Sequence, residues 1–202
     1  MILKKRECRG VSVLVLWIAS VSGSSAAQDL LVDQASGTTD EFIQAFSPLP
    51  DNQIAQSFTP SLSAVGFVQF RTVVFDDNNG AGVTFAVNLR EGAYNGPTLS
   101  STAPVVIVRG PIQSGTFYFP DNISVTPGQL YFFEPVLLSA GSTDIGTKSP
   151  SSYLGGDLWS NGLKDQQADL WFREGVVVPE PSAACLLLAG LVLIPILRRS
   201  GV

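Results

Sequence analysis

Histidine is absent from the 202 residues, and the two cysteines, Cys8 and Cys185, stand near the two ends. Without histidine the commonest general base and the usual neutral metal ligand are missing. Ser-His-Asp and Cys-His catalysis and the ordinary zinc sites are thereby excluded. With no cysteine between those two positions, no disulfide can staple the middle of the chain, and its stability must come from a packed core. A stretch of about 150 residues suffices, since it buries roughly 68–70% of its unfolded surface.

Charge is scarce too, at 14% of residues, and it is unevenly placed. Lys4, Lys5, Arg6, Arg9, Arg198 and Arg199 lie at the ends together with Glu7 and Glu180, so residues 28–178 keep six basic against fifteen acidic side chains, a net charge of −9. Such a surface disfavours nucleic acid and anionic lipid, because phosphate contacts rest on Lys and Arg. It suits solubility, cations or neutral glycans.

The ends themselves read as addresses. Lys4, Lys5, Arg6 and Arg9 precede the apolar run Val11 to Val21, and Ser25-Ala26-Ala27 supplies small residues, the three-part pattern of a secretory signal peptide over 1–27. Signal peptidase would cut after Ala27 and leave Gln28 as the new terminus. A permanent anchor is the alternative, but the apolar run is short for a span. Cys8 precedes that run without the small-residue context of a lipoprotein site, and Cys185 reads as a membrane-buried bystander.

At the other end, Val178-Pro179-Glu180-Pro181-Ser182 leads into the uncharged run Ala183 to Leu197 and then Arg198-Arg199. As a helix that run would rise about 22 Å at ~1.5 Å per residue, short of the ~30 Å hydrocarbon layer. The arginine pair would stop transfer with the C-terminus on the cytoplasmic side. Pro179 and Pro181 hold their neighbours extended and leave Glu180 exposed, a stiff handle outside the membrane. On physics alone the handle is either a protease substrate or a linker into a plain anchor.

The order Pro179-Glu180-Pro181, apolar run, arginine pair resembles the PEP-CTERM sorting signal of bacteria that make exopolysaccharide. The resemblance covers 178–202 only. It implies recognition by an exosortase, a membrane-embedded cysteine transpeptidase, processing near the motif, and transfer from the inner membrane to the cell envelope or matrix.

The middle reads as one all-β domain, 28–177. Val83, Phe85, Val87 and Leu89 alternate with polar or small residues, and Val65 to Phe75 alternates in part, so each predicts a strand with one buried face. Asp76-Asp77-Asn78-Asn79-Gly80 between them is turn chemistry and predicts a hairpin. Further strand-like runs cover Ile54 to Thr59, Leu99 to Arg109, Thr116 to Phe119, Ile123 to Thr126, Leu130 to Leu138, Leu158 to Trp159 and Asp169 to Arg173, with short helical turns expected near Asp40 to Ala45 and Lys164 to Ala168. Frequent turn signals between short strands predict a two-sheet antiparallel β-sandwich of jelly-roll type, flanked by a signal helix and a hydrophobic C-terminal helix. Gln56-Ser57-Phe58-Thr59-Pro60, Val87 to Gly92, Pro127 to Tyr131, Gly155-Gly156-Asp157 and Asp169 to Arg173 also resemble a secreted bacterial jelly-roll module of galactose-binding-like appearance.

Chemistry in this domain has few carriers. Glu91, Glu134, Asp144 and Asp157 are the acids from which a glycosidase pair could be drawn. Asp76, Asp77 and Asn78 form an oxygen-rich cluster that is either a solvated turn or a calcium loop, and it lacks the EF-hand spacing. Tyr153, Trp159 and Trp171, with Asp157 beside them, are candidates for stacking on and orienting a sugar. Trp159, next to Ser160-Asn161-Gly162, is the preferred platform, whereas Trp171 lies between Leu170 and Phe172 in a strand. Asn122-Ile123-Ser124 matches a glycosylation sequon and reads as incidental. The expectation is an exported, non-enzymatic surface protein that needs no cofactor beyond a candidate calcium ion and takes polysaccharide as its partner. Its alternatives are a small carboxylate-dependent glycan hydrolase or lyase with the same address, and a plainly membrane-anchored sandwich.

Overall fold

The structure, a computed structural model, describes residues 28–37, 44–46, 53–76 and 80–178. The expected signal and tail helices, Ala27, Cys8, Cys185, Pro179, Glu180, Pro181, Arg198 and Arg199 lie outside the described residues. Among the described residues there are fourteen strands and no helix. They are β1 (Asp29–Ser36), β2 (Gln44–Phe46), β3 (Ile54–Phe58), β4 (Ala64–Asp76), β5 (Val83–Glu91), β6 (Thr98–Ser101) and β7 (Val105–Ile107), followed by β8 (Gln113–Ser124), β9 (Tyr131–Leu137), β10 (Ser142–Lys148), β11 (Leu158–Ser160), β12 (Leu163–Asp165), β13 (Asp169–Leu170) and β14 (Phe172–Val178).

Two seven-stranded sheets result. The first runs β1-β14-β4-β10-β13, with β2 on β10 and β8 on β4; the second runs β12-β11-β3-β9-β5-β6, with β7 on β5. Period-two patterning decides which side chains meet between them. From β4, Val68, Phe70 and Val74 point inward, and from β5, Val83, Phe85, Val87 and Leu89 meet them in one core with Phe58, Phe117, Phe133, Ile145 and Phe172. Each aromatic or branched side chain buried there contributes about 1.5–3 kcal/mol relative to exposure. The product is a β-sandwich.

The expected hairpin from Val65–Phe75 to Val83–Leu89 does not form. β4 lies in the first sheet and β5 in the second, so the turn-rich connection is a corner between sheets. Both strands carry a valid inward pattern, but β10 takes the C-terminal half of β4, pairing Thr143 with Val74, and β9 takes β5, pairing Val87 with Pro135. Pro135 is tolerated because β3 pairs only with Phe133, Phe132 and Tyr131, so the proline ring lies beyond that edge. Leu99 to Arg109 splits into β6 and β7 around Pro104, while Thr116–Phe119 and Ile123–Thr126 largely merge into β8. Lys164–Ala168 forms the end of β12 and a bend instead of a helical turn.

The two sheets are tied by polar groups at one end. Gln56 of β3, fully buried, accepts from the Leu170 amide of β13 at 2.7 Å and donates to Ser57 O at 3.0 Å. Asp169 accepts from Ser151 Oγ at 2.8 Å and from the amides of Ser152 and Tyr153, both at 3.1 Å, which satisfies its buried carboxylate.

Candidate functional site

The outer face of the second sheet is where aromatic and polar side chains converge. Register sets Lys164, Trp159 and Ala55 in one transverse row, with Asn88 standing between Glu134 and Ser101. Ala55 is small, which leaves room for the Trp159 indole above β3. Phe132, buried on this outer face, meets Trp159 edge-on at 5.8 Å and 73°, and Tyr94 of the β5–β6 connection stacks with Trp159 at 6.0 Å and 23°. Such pairs add about 0.5–1.5 kcal/mol beyond area burial.

The hairpin that carries Trp159 turns at Asn161 and Gly162, with φ of 49° and 78°, the left-handed pair that a two-residue turn demands. Asn161 closes on Gln53: its amide donates to Gln53 O at 2.8 Å and its side-chain oxygen accepts from Gln53 N at 3.0 Å. The Tyr94 hydroxyl donates to the same carbonyl at 3.2 Å, and burial pushes its pKa up. Below the aromatics, Glu134 is 5% exposed and accepts from Arg90 Nε at 2.7 Å, Arg90 Nη2 at 2.6 Å, Asn88 Nδ2 at 2.9 Å and Gln53 Nε2. Asp157 pairs with Lys164 at 2.7 Å. Both charges near Trp159 are therefore neutralised in pairs. The indole Nε1 of Trp159 is buried without a hydrogen-bond partner. Farther along the same hairpin an open groove of about 520 Å³ is lined by Ser160, Asn161, Lys164, Asp165, Gln166 and Gln167, with Leu163 exposed at its rim.

The other sequence-selected residues do not join this face. Trp171 is 1% exposed, with the guanidinium groups of Arg71 and Arg173 at 5.9 and 5.4 Å from its ring, so it packs as an outer layer of the first sheet and presents no free face to a sugar. Tyr153 packs edge-on against Phe172 at 5.2 Å and accepts from the Thr59 amide; burial pushes its hydroxyl pKa up to about 12. Asp76 is exposed at the end of β4, and Asp77 and Asn78 lie outside the described residues. Among the described residues no group of three or more His, Cys, Asp or Glu is placed to hold a metal ion. Of the four acids considered for hydrolysis, Glu91 is exposed at the end of β5, Asp144 sits on β10, and Glu134 and Asp157 are engaged as above.

No protein-family model and no curated protein matches this chain. Its site must be read from its own geometry.

Two arrangements had no legible signal in the sequence. Asn122 of β8 reaches past Gly66 to β14, donating to Val177 O and accepting from Val177 N, both at 3.0 Å. β4 pairs with β14 only as far as Gly175, so the Asn122 amide stands in for the missing backbone partner of Val177. The sequon residue is thus a strand clamp.

The second is a carboxyl pair. Glu174 of β14 is 0% exposed and no donor reaches its ionised oxygens, but the Asp33 carboxylate of β1 lies beside it, where a proton held on Glu174 forms a hydrogen bond between the two carboxyls. Desolvation, then the Asp33 charge, raise its pKa to about 8. Burial also pushes Asp33 up, but hydrogen bonds from Ser61, Leu62 and Gln34 outweigh it and hold that carboxyl below its usual value. For Glu174 the folded state binds the extra proton, so its contribution is intact below about pH 4.5 and is lost as pH rises through 8. At pH 7 the cost is on the order of 3 kcal/mol. Asp33 acts oppositely, its contribution present above its unfolded pKa and lost in acid. Thermal denaturation will therefore show stability falling from pH 5 to pH 8, and Glu174→Gln will flatten that slope and raise the melting temperature at pH 8.

Proposed function

We propose that this chain is an exported, non-enzymatic β-sandwich, cut after Ala27, sorted through Pro179-Glu180-Pro181 by an exosortase-type transpeptidase, and delivered from the inner membrane to the envelope or extracellular matrix. Its partner there is polysaccharide, held on the outer face of the second sheet. The observation that carries the binding reading is the stacked pair Tyr94 and Trp159, with Trp159 on the hairpin whose next residues, Ser160 and Asn161, enter a groove lined also by Lys164, Asp165, Gln166 and Gln167. Aromatic faces stack on the apolar faces of pyranose rings, and amide and hydroxyl groups orient ring hydroxyls. All sheet pairings recorded are antiparallel, which supports the jelly-roll-like reading.

The sorting reading is supported by how the sandwich ends. Gln28 precedes β1 and Asp29 pairs with Val178, the last described residue of β14, so the described residues next to both expected processing points lie at one end of the domain. The non-enzymatic reading is supported by Glu134, whose buried carboxylate is committed to Arg90, Asn88 and Gln53.

Intact-mass measurement on the exported protein tests the address: loss of 1–27 and of Ala183 to Val202 is expected, and retention of that tail would sink the transpeptidase reading. Glycan-array binding tests the face. Wild type will bind a neutral polysaccharide and Trp159→Ala will lose at least tenfold in affinity; unchanged binding by the variant would move the site elsewhere, and turnover of a glycan would make the protein an enzyme.

A further inference from the structure

β1 is an edge strand. Among the described residues it pairs with β14 alone, and Leu31 and Val32 on it are about half exposed, so little apolar burial holds it in place. What reaches inward from β1 is Asp33, at the register shift between Val32 and Gln34. A bulge of this kind re-aims one side chain. Here the Asp33 carboxylate accepts from Ser61 N at 2.7 Å, Leu62 N at 2.9 Å and the Ser61 hydroxyl, tying β1 to the β3–β4 connection. Directly beside this tie is Glu174, opposite Gln34 in register and buried with no donor to its oxygens, so that only a proton of its own can link it to Asp33.

A fully buried carboxyl beside a second, half-buried carboxylate loses its proton only at a cost, and it stays protonated unless a cation intervenes. The groups facing Glu174 are Asp33 from β1, Tyr153 from the β10–β11 connection and, on β4, the apolar Val68; Asp169 of β13 lies near Tyr153. None is basic. We propose that Glu174 and Asp33 form a proton-operated fastener for β1: protonated Glu174 lets the strand lie on β14, and loss of that proton lifts it. Asp33 then gives up its hold on Ser61 and Leu62, and the mature N-terminus detaches while the rest of the sandwich stays closed. The raised pKa of Glu174 agrees with this geometry.

Amide exchange in the full-length chain tests the fastener, each rate being divided by its intrinsic value at that pH. Protection at Leu31 to Ala35 will fall at least tenfold between pH 6.5 and pH 9, while β4 and β9 keep theirs. Glu174→Gln, neutral at every pH, will hold β1 protection constant, and Asp33→Asn will move the wild-type transition to lower pH by removing the repelling charge. Unchanged β1 protection in wild type, or an equal fall in Glu174→Gln, would overturn the proposal. The ¹³C carboxyl shift of Glu174 provides a readout independent of any variant: a midpoint between pH 4 and 5 would also overturn it.

Discussion

Replacing Phe133 by alanine will cost about 3–5 kcal/mol, among the largest losses open to a single truncation in this domain. Phe133 is fully buried in β9, where it stacks on Phe58 at 4.1 Å and 5° and meets Phe70, Phe119 and Phe172 at 6.2–6.5 Å. Those rings come from β3, β4, β8 and β14, so this one side chain touches both sheets. The surrounding aromatics are held by their own strands and cannot collapse into the space left behind. Urea denaturation will show the midpoint falling with little change in slope. Leu163→Ala, 76% exposed at the groove rim, will change stability by less than about 0.5 kcal/mol. A loss below about 1 kcal/mol at Phe133 would mean that the sheets do not share this core.

Gly175→Ala will be nearly as damaging, by a different mechanism. A Cβ there would sit 1.9 Å from Leu31 O, 2.9 Å from Leu31 C and 3.0 Å from Asp33 N, all backbone of β1. A flexible side chain could swing away, but a backbone carbonyl moves only if its strand does. The expected result is that β1 separates from β14, with a cost of about 3 kcal/mol, at the upper end of ordinary overpacking. Amide exchange will report it as lost protection at Leu31 to Ala35 at every pH, unlike the pH-limited loss expected of wild type. Proteolysis near Leu31 will rise in parallel. A variant with native β1 protection would show that the strands lie farther apart than Gly175 implies.

Strand existence was legible wherever apolar residues alternate, as in Val83 to Leu89, because that pattern depends only on a residue and its near neighbours. Partnership was not. β4 and β5 each present a well-formed inward face, and the residues that decide their separation, on β9 and β10, lie some fifty to seventy positions away. β10 carries no alternating apolar signal, because Ser142-Thr143-Asp144-Ile145-Gly146-Thr147-Lys148 is mostly polar, yet Thr143 and Thr147 are fully buried, with Thr143 Oγ1 donating to Val73 O at 3.0 Å. At the site, Trp159 was visible as an aromatic beside an Asn-Gly turn. Tyr94 was not, since nothing local says that the β5–β6 connection crosses to the β11–β12 hairpin. Trp171 shows the limit from the other side: its two arginine neighbours, Arg71 and Arg173, come from different strands, and one is a hundred residues distant.

The position of β14 bears on when the sandwich can close. It is the last described strand in chain order, yet it lies inside the first sheet, between β1 and β4. Until it arrives, β1 lacks its partner among the described strands and the inner face of β4 lacks Phe172, so the first sheet cannot close before residues up to Val178 are present. Pairing of residues so far apart in sequence is slow to nucleate. The sandwich is therefore completed late, only when the strand farthest along the described chain takes its place between β1 and β4.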